Sequence, residues 1–186
     1  MDSNAASLLN RFTAIKQRAA SLETWISVGG WSFNDPGNSP DTQTAFSNMV
    51  SSSVNRQNFI NSLISFMTTY GFDGADIDWE YPAASDRGGV PADTENFVLL
   101  VRDMQAAFGS RFGLSVTLPT SYWYLQHFDV KNMQQYVSWF NFMTYDLHGT
   151  WDSSNVYTGP YAEPHTNLTE IDQGMQFSTF STCRIT

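Results

Sequence analysis

Between Asp73 and Pro82 the chain reads Asp-Gly-Ala-Asp-Ile-Asp-Trp-Glu-Tyr-Pro, with acids at alternate positions 76, 78 and 80. Side chains of an extended strand alternate between faces, so Asp76, Asp78 and Glu80 share one face, and Ala75, Ile77 and Trp79 the other. The apolar face suits contact with a helix layer. The acidic face is costly to bury, because crowded like charges and desolvation both penalise ionisation. At least one of the three acids is therefore expected to hold a proton near neutral pH. A neutral carboxylic acid at the C-terminal end of a strand can protonate a glycosidic oxygen. Glu80, last on the strand and longest, is the expected donor.

The nucleophile is less direct. Asp78 and Glu80 lie about 6.6 Å apart along one strand and approach a sugar from the same side. Two-carboxylate glycosidases instead bracket the scissile bond. Either an acid from another strand completes the pair, with Asp146 as the candidate, or the substrate supplies its own nucleophile, as the carbonyl oxygen of a 2-acetamido sugar can. Two other readings of the acids stand beside this one. Three strand carboxylates could bind Mg²⁺ or Ca²⁺, although Ile77 and Trp79 fill positions that an EF-hand loop needs polar. They could also form a structural ion-pair network, for which basic residues are scarce.

The elements that must position these residues alternate. Apolar residues at helical spacing predict helices over residues 7–20, 56–70, 94–108 and 129–137, with another starting near 166–173. Gly71 suits a helix C-cap. Strands are predicted over 22–30, 74–80, 114–118 and 139–145. This α/β alternation argues for a parallel sheet with crossover helices, and a doubly wound sheet and a (β/α)8 barrel both fit it. A whole barrel usually takes about 250 residues; this chain has 186. Residues 1–175 read as one domain and 176–186, polar and without a core pattern, as an atypical tail.

Composition narrows the partners. Hydrophobic residues make up 41% and aromatics 15%, as in a globular protein with a sizeable core. The net charge is −9 with only nine Lys plus Arg, so there is no basic cluster for nucleic acid or anionic membranes, and a neutral partner suits the surface. The one cysteine, Cys183, can form no internal disulfide. No apolar run reaches the roughly 18 residues of a membrane helix, and Met1–Asn10 lacks a signal-peptide pattern.

Asp73 to Glu80 matches the DGxDxDxE signature that identifies glycoside hydrolase family 18, the chitinase family. Ser27-Val-Gly-Gly-Trp31 resembles that family's SxGG strand and Met143-Thr-Tyr-Asp146 its later MxYD strand, in the right order. Ser121–Phe128 and Asp146–Trp151 resemble the fungal branch. The resemblance runs from about residue 5 to about 172 and implies a partial (β/α)8 TIM barrel, strands three to six. The first, second, seventh and eighth strands have no counterpart, nor do the family's eighth-strand Trp and first-strand Tyr. Little turnover is therefore expected from these residues alone.

The resemblance further implies a retaining, substrate-assisted mechanism on chitin or chitooligosaccharides, with no cofactor or metal. Glu80 would protonate the leaving oxygen. Asp78 would orient the acetamide N–H, Asp76 would share a proton with Asp78, and Ser27 would support Asp76. Tyr145 would donate to the acetyl carbonyl. Asp146 would hold the sugar, Trp31 and Trp151 would stack on sugar rings, and Met143 and Tyr81 complete the expected substrate-binding set. An extracellular location is implied, and the sequon Asn167-Leu-Thr169 could carry a glycan there. The alternative is a lectin-like chitin-binding protein without turnover. His148 reads as a structural loop residue and Trp79 as core.

Overall fold

A computed structural model describes residues 3–177. Four strands, β1 (Trp25–Gly29), β2 (Gly74–Asp78), β3 (Gly113–Pro119) and β4 (Trp139–Met143), form one sheet in sequence order. All three pairings are parallel, with Ser27 opposite Asp76 and Asp76 opposite Ser115. Helices α1 (Ser3–Thr13), α2 (Trp31–Asn34), α3 (Ala45–Val50), α4 (Ser53–Tyr70), α5 (Asp93–Phe108), α6 (Tyr122–Leu125), α7 (Val130–Met133) and α8 (Leu168–Phe177) fill the intervals. This is the expected α/β class and a partial TIM barrel. Of the stretch read as a tail, residues 178–186 lie outside the described residues. Among the described residues no helix is long and apolar enough to cross a membrane.

The crossover helices are written into the sequence with period 3.6. In α4, Ile60, Leu63 and Met67 are buried at spacings of three and four. The Ser52 hydroxyl caps its start by accepting from the Asn55 N–H at 3.2 Å. Gly71, at φ +77°, ends it with its N–H on the Met67 carbonyl. In α5, Phe97, Leu100, Val101, Met104 and Phe108 form the matching buried stripe. These residues meet Ala75, Ile77, Leu114, Val116 and Leu118 from one face of the sheet in a single core cluster. Each large side chain buried this way stabilises the fold by about 1.5–3 kcal/mol. Trp79 is 1% exposed, stacked on Phe46 and tilted against Phe97, so the core reading of it holds.

The opposite face carries the polar alternation: Ser27, Asp76, Ser115, Thr117 and Asn141. At its N-terminal end the Trp25 indole lies across Gly74 and Gly113 and meets Trp139 with ring centroids 4.3 Å apart. A Cβ on Gly74 would sit 2.5 Å from that ring, and one on Gly113 2.1 Å from it. The two glycines open the space that lets one tryptophan from β1 reach β4.

Three expected strand ends move. β1 stops at Gly29, so Trp31 is not a strand residue but the first residue of α2. Gly29 (φ +117°) and Gly30 (φ +93°) turn the chain there, and a Cβ on Gly29 would lie 2.1 Å from the Asp78 carbonyl oxygen. β2 stops at Asp78 and β4 at Met143, so Glu80 and Tyr145 each sit two residues beyond a strand. Asp78 is the last β2 residue paired to β1, opposite Gly29, and its carbonyl accepts from the Gly30 N–H at 2.8 Å. Beyond it the Glu80–Tyr81 peptide is cis.

Gly74→Ala should lower stability by about 1–3 kcal/mol in urea unfolding, since the added methyl meets a held ring. Pairing it with Trp25→Ala should give less than the sum of the two single losses. Additive losses would mean that the indole does not depend on Gly74.

Candidate active site

Asp76 is the centre of the polar face. Its Oδ1 accepts from Ser115 Oγ at 2.7 Å and from Asn141 Nδ2 at 3.0 Å. Its Oδ2 accepts from Thr117 Oγ1 at 2.8 Å and from Ser27 Oγ at 3.0 Å. Donors from β1, β3 and β4 thus converge on one 8%-exposed carboxylate of β2. Burial of a charge is tolerable when it is hydrogen-bonded in this way.

Asp78 is treated differently by its surroundings. Its Oδ1 is buried with no hydrogen-bond partner. Desolvation, then the charges of Glu80 and Asp76, push its carboxyl up to about 7. Glu80 is 6% exposed. Burial raises its pKa, and this outweighs a hydrogen bond from Tyr81 and the charge of Arg87, both of which lower it. Asp78 and Glu80 therefore hold their protons above the usual carboxylate range, by burial first and, at Asp78, by like charge second.

Asp73, first residue of the motif, is a structural tie. It accepts from the Thr24 N–H at 2.7 Å and from Lys16 Nζ at 2.8 Å. Partial burial pushes its pKa up, but these bonds outweigh it and hold it below the usual range. It joins the starts of β1 and β2.

The other expected site residues are placed as follows. Tyr145 is half exposed, and its hydroxyl is pushed up by burial and then by Asp78, Glu80, Asp146 and Asp76, so it stands within reach of their field. Asp146, at φ +54°, has a 70%-exposed side chain, 3.6 Å from His165 Nδ1. Met143 closes β4; it is half-buried against the core, and its carbonyl accepts from Thr120 Oγ1 at 3.0 Å. Trp31 and Trp151 are exposed, Trp31 beneath the Arg87 guanidinium and Trp151 over Gly149. Tyr81 departs from expectation. It is 7% exposed, stacked on Tyr124 with centroids 4.0 Å apart, and hydrogen-bonds Glu80. It backs the acid and does not face solvent.

Ser115, Thr117 and Arg87 join the site without having been singled out, as does Asn141 in the role of a donor to Asp76. Ser115 and Thr117 did carry a signal: they are the polar members of an otherwise apolar alternation, Leu114-Ser-Val-Thr-Leu118. Arg87 carried none, since it sits in a loop whose path depends on tertiary contacts. Among the described residues no cluster of three or more His, Cys, Asp or Glu is placed to hold a metal ion.

A buried acid cluster at the C-terminal ends of parallel strands, with helices behind the sheet, is the arrangement of a partial (β/α)8 barrel, whose sites lie at that end. The sequence pattern of Glycosyl hydrolases family 18 matches residues 1–184, and the chain belongs to that family. It is 39% identical over 180 residues to the probable chitinase LysM11 of Penicillium expansum, covering 91% of this chain and 16% of that protein. It is 33% identical over 159 residues to an endochitinase of Manduca sexta, covering 83% of this chain and 27% of that one. The Ostrinia furnacalis Group IV chitinase in complex with allosamidin superposes with a TM-score of 0.74 at 26% identity, over 90% of this chain and 46% of that one. The chain thus spans less than a third of the length of these two curated relatives.

His148 lies between two carboxylates, with Nδ1 2.9 Å from Asp152 and Nε2 2.7 Å from Glu170. It ties the turn Thr150–Ser154 to α8. These bonds, Glu170 first, push its pKa above the ordinary 6.5. A raised folded pKa gives stabilisation that is complete below the unfolded value and lost as pH rises through the folded one. The melting-temperature gap between wild type and His148→Asn should therefore be widest near pH 6 and shrink toward pH 9; a gap independent of pH would contradict the latch.

Asp78 has the same sign. Its folded pKa of about 7 stands above its unfolded value near 3.8, so the folded chain holds an extra proton between them. Stability should fall as pH rises across that window. Asp78→Asn should flatten the slope in urea unfolding between pH 4.5 and 7.5, whereas an unchanged slope would count against a proton on Asp78.

Proposed function

We propose that this chain carries the acid-bearing section of a chitin-cleaving, retaining glycoside hydrolase. The observation that carries the reading is a buried Glu80 with a raised pKa, beside an Asp78 whose buried Oδ1 has no partner. Glu80 gives its proton to the glycosidic oxygen as the C1–O bond breaks. The acetamido carbonyl oxygen of the same sugar attacks C1, which forms an oxazolinium ion. Asp78, in its ionised form, accepts the acetamide N–H and offsets the positive charge that develops. A water then attacks C1, giving its proton to the Glu80 carboxylate and restoring the acetamide with net retention. The hydrogen bond of Tyr81 to Glu80 orients the carboxyl, and Asp76 fixes the strand on which both acids depend.

Tyr145 donates to the acetyl carbonyl, consistent with its position in the field of the acids. Trp31 and Trp151 offer exposed rings for sugar faces, and Asp146 an exposed carboxylate for sugar hydroxyls. The relatives support a chitin substrate and a secreted setting by their names, among them the secreted chitinase LysM12 of Penicillium expansum, 31% identical over 83% of this chain. A second reading, oligosaccharide binding without turnover, is favoured by the exposure of Ser27, Asn141 and Tyr145 on the inner face.

Hydrolysis of a chromogenic chitooligosaccharide with and without Glu80→Gln tests the assignment. Turnover should fall about 10²–10⁴-fold while binding persists. Turnover that survives the substitution would remove Glu80 from its role, and binding without turnover in both proteins would favour the second reading.

A further inference from the structure

We propose that Arg87 is a positioning residue that locks the sugar-stacking ring of Trp31 to the backbone of the proton donor Glu80, so that ring and acid meet the substrate as one unit. The inference rests on the proposed function for its meaning, and on geometry for its support. Arg87 closes the 3-10 turn Ser85–Arg87 and is 3% exposed. Its Nε donates to the Glu80 carbonyl at 3.1 Å. Its Nη2 donates to the Trp31 carbonyl, and its Nη1 lies 3.4 Å from Asp35 Oδ1. Its guanidinium carbon stands 3.8 Å from the centroid of the Trp31 ring. One side chain thus bridges the exits of β1 and β2, whose last backbone bond is the Gly30 N–H to the Asp78 carbonyl.

The turn that presents Arg87 is itself built for the purpose. Asp93, fully buried, accepts from the N–H groups of Ala83 and Val90 at 3.2 and 2.7 Å and from Ser47 Oγ at 2.8 Å. These bonds pin both ends of the loop between Glu80 and α5. Gly88 and Gly89 then let the backbone fold tightly; a Cβ on Gly89 would meet the Ala84 nitrogen at 2.6 Å. Arg suits the position because its planar fork can stack on the indole and donate in three directions at once, which an ammonium group cannot. Trp31 remains 50% exposed with the guanidinium on one side, so a sugar can stack on its other side. A ring held in place beforehand loses less conformational freedom when ligand arrives.

The test combines Arg87→Ala, Arg87→Lys and Trp31→Ala. Oligosaccharide affinity should fall roughly 2–30-fold in Arg87→Ala, the range of a desolvated cation–π contact. The Ala loss should vanish in a Trp31→Ala background, since the two residues act through one another. Arg87→Lys should restore stability without restoring affinity, and millimolar guanidinium should rescue Arg87→Ala. Additive losses, or full rescue by Lys, would reduce Arg87 to a structural cation and overturn the proposal. The order parameter of the Trp31 indole N–H, read by NMR without sugar, should drop in both Arg87 variants. That readout holds if the Ala variant does not fold, because Arg87→Lys then carries it. It also separates the two ideas: absence of binding and turnover in wild type would sink the proposed function, while an unchanged indole order parameter would sink the role of Arg87.

Discussion

The carboxylate of Asp76 is the interaction on which the rest of the site depends. Four side-chain donors from three other strands end on its two oxygens. Backbone pairing sets the neighbour order of the strands, but it does not stop their inner faces from shifting against one another. A buried carboxyl that accepts from four donors on three strands does, because a shift that broke these bonds would leave its oxygens buried with fewer partners. Asp76 sits mid-strand on β2, and its neighbours two and four residues on are Asp78 and Glu80. Fixing Asp76 therefore fixes where the two later acids begin.

The later acids gain their character from what is withheld. The donors that gather on Asp76 are spent there, and Asp78 Oδ1 is left buried without one. Desolvation then dominates Asp78 and Glu80 alike, with like charge adding to it at Asp78. Tyr81 and Arg87 act against the rise at Glu80 without cancelling it. The same separation of roles appears in the backbone. The strands end at Asp78 and Gly29, and the chain beyond them is held by side chains: Arg87 from the turn, Asp93 from α5 and Tyr124 from α6.

The period-2 and period-3.6 patterns made the strands and the α4 and α5 faces legible, because each rests on local burial, whereas the strand order followed from the family resemblance. Alternation also put Asp76 and Asp78 on the inner face and Trp79 on the outer one. It failed where regular structure stops. Trp31, Glu80 and Tyr145 were extrapolated along strands that end two residues sooner, and the paired glycines at 29 and 30 were the sign that β1 could not continue. Tyr81 was assigned to substrate, yet it lies behind the acid, because the face of a loop residue follows from tertiary packing. Arg87 was invisible for the same reason: nothing in Ser-Asp-Arg-Gly-Gly indicates a guanidinium folded back onto Trp31.

The electrostatic division between the acids is open to direct measurement. Carbon-detected NMR titration of the side-chain carboxyls follows Asp78 and Glu80 individually in the folded chain. Asp78 should titrate near its raised value of about 7, and Glu80 above its ordinary 4.5. If both carboxyls instead titrate at ordinary values between 3.8 and 4.5, the acids are not buried together as described, and no proton is held on this strand for a leaving group.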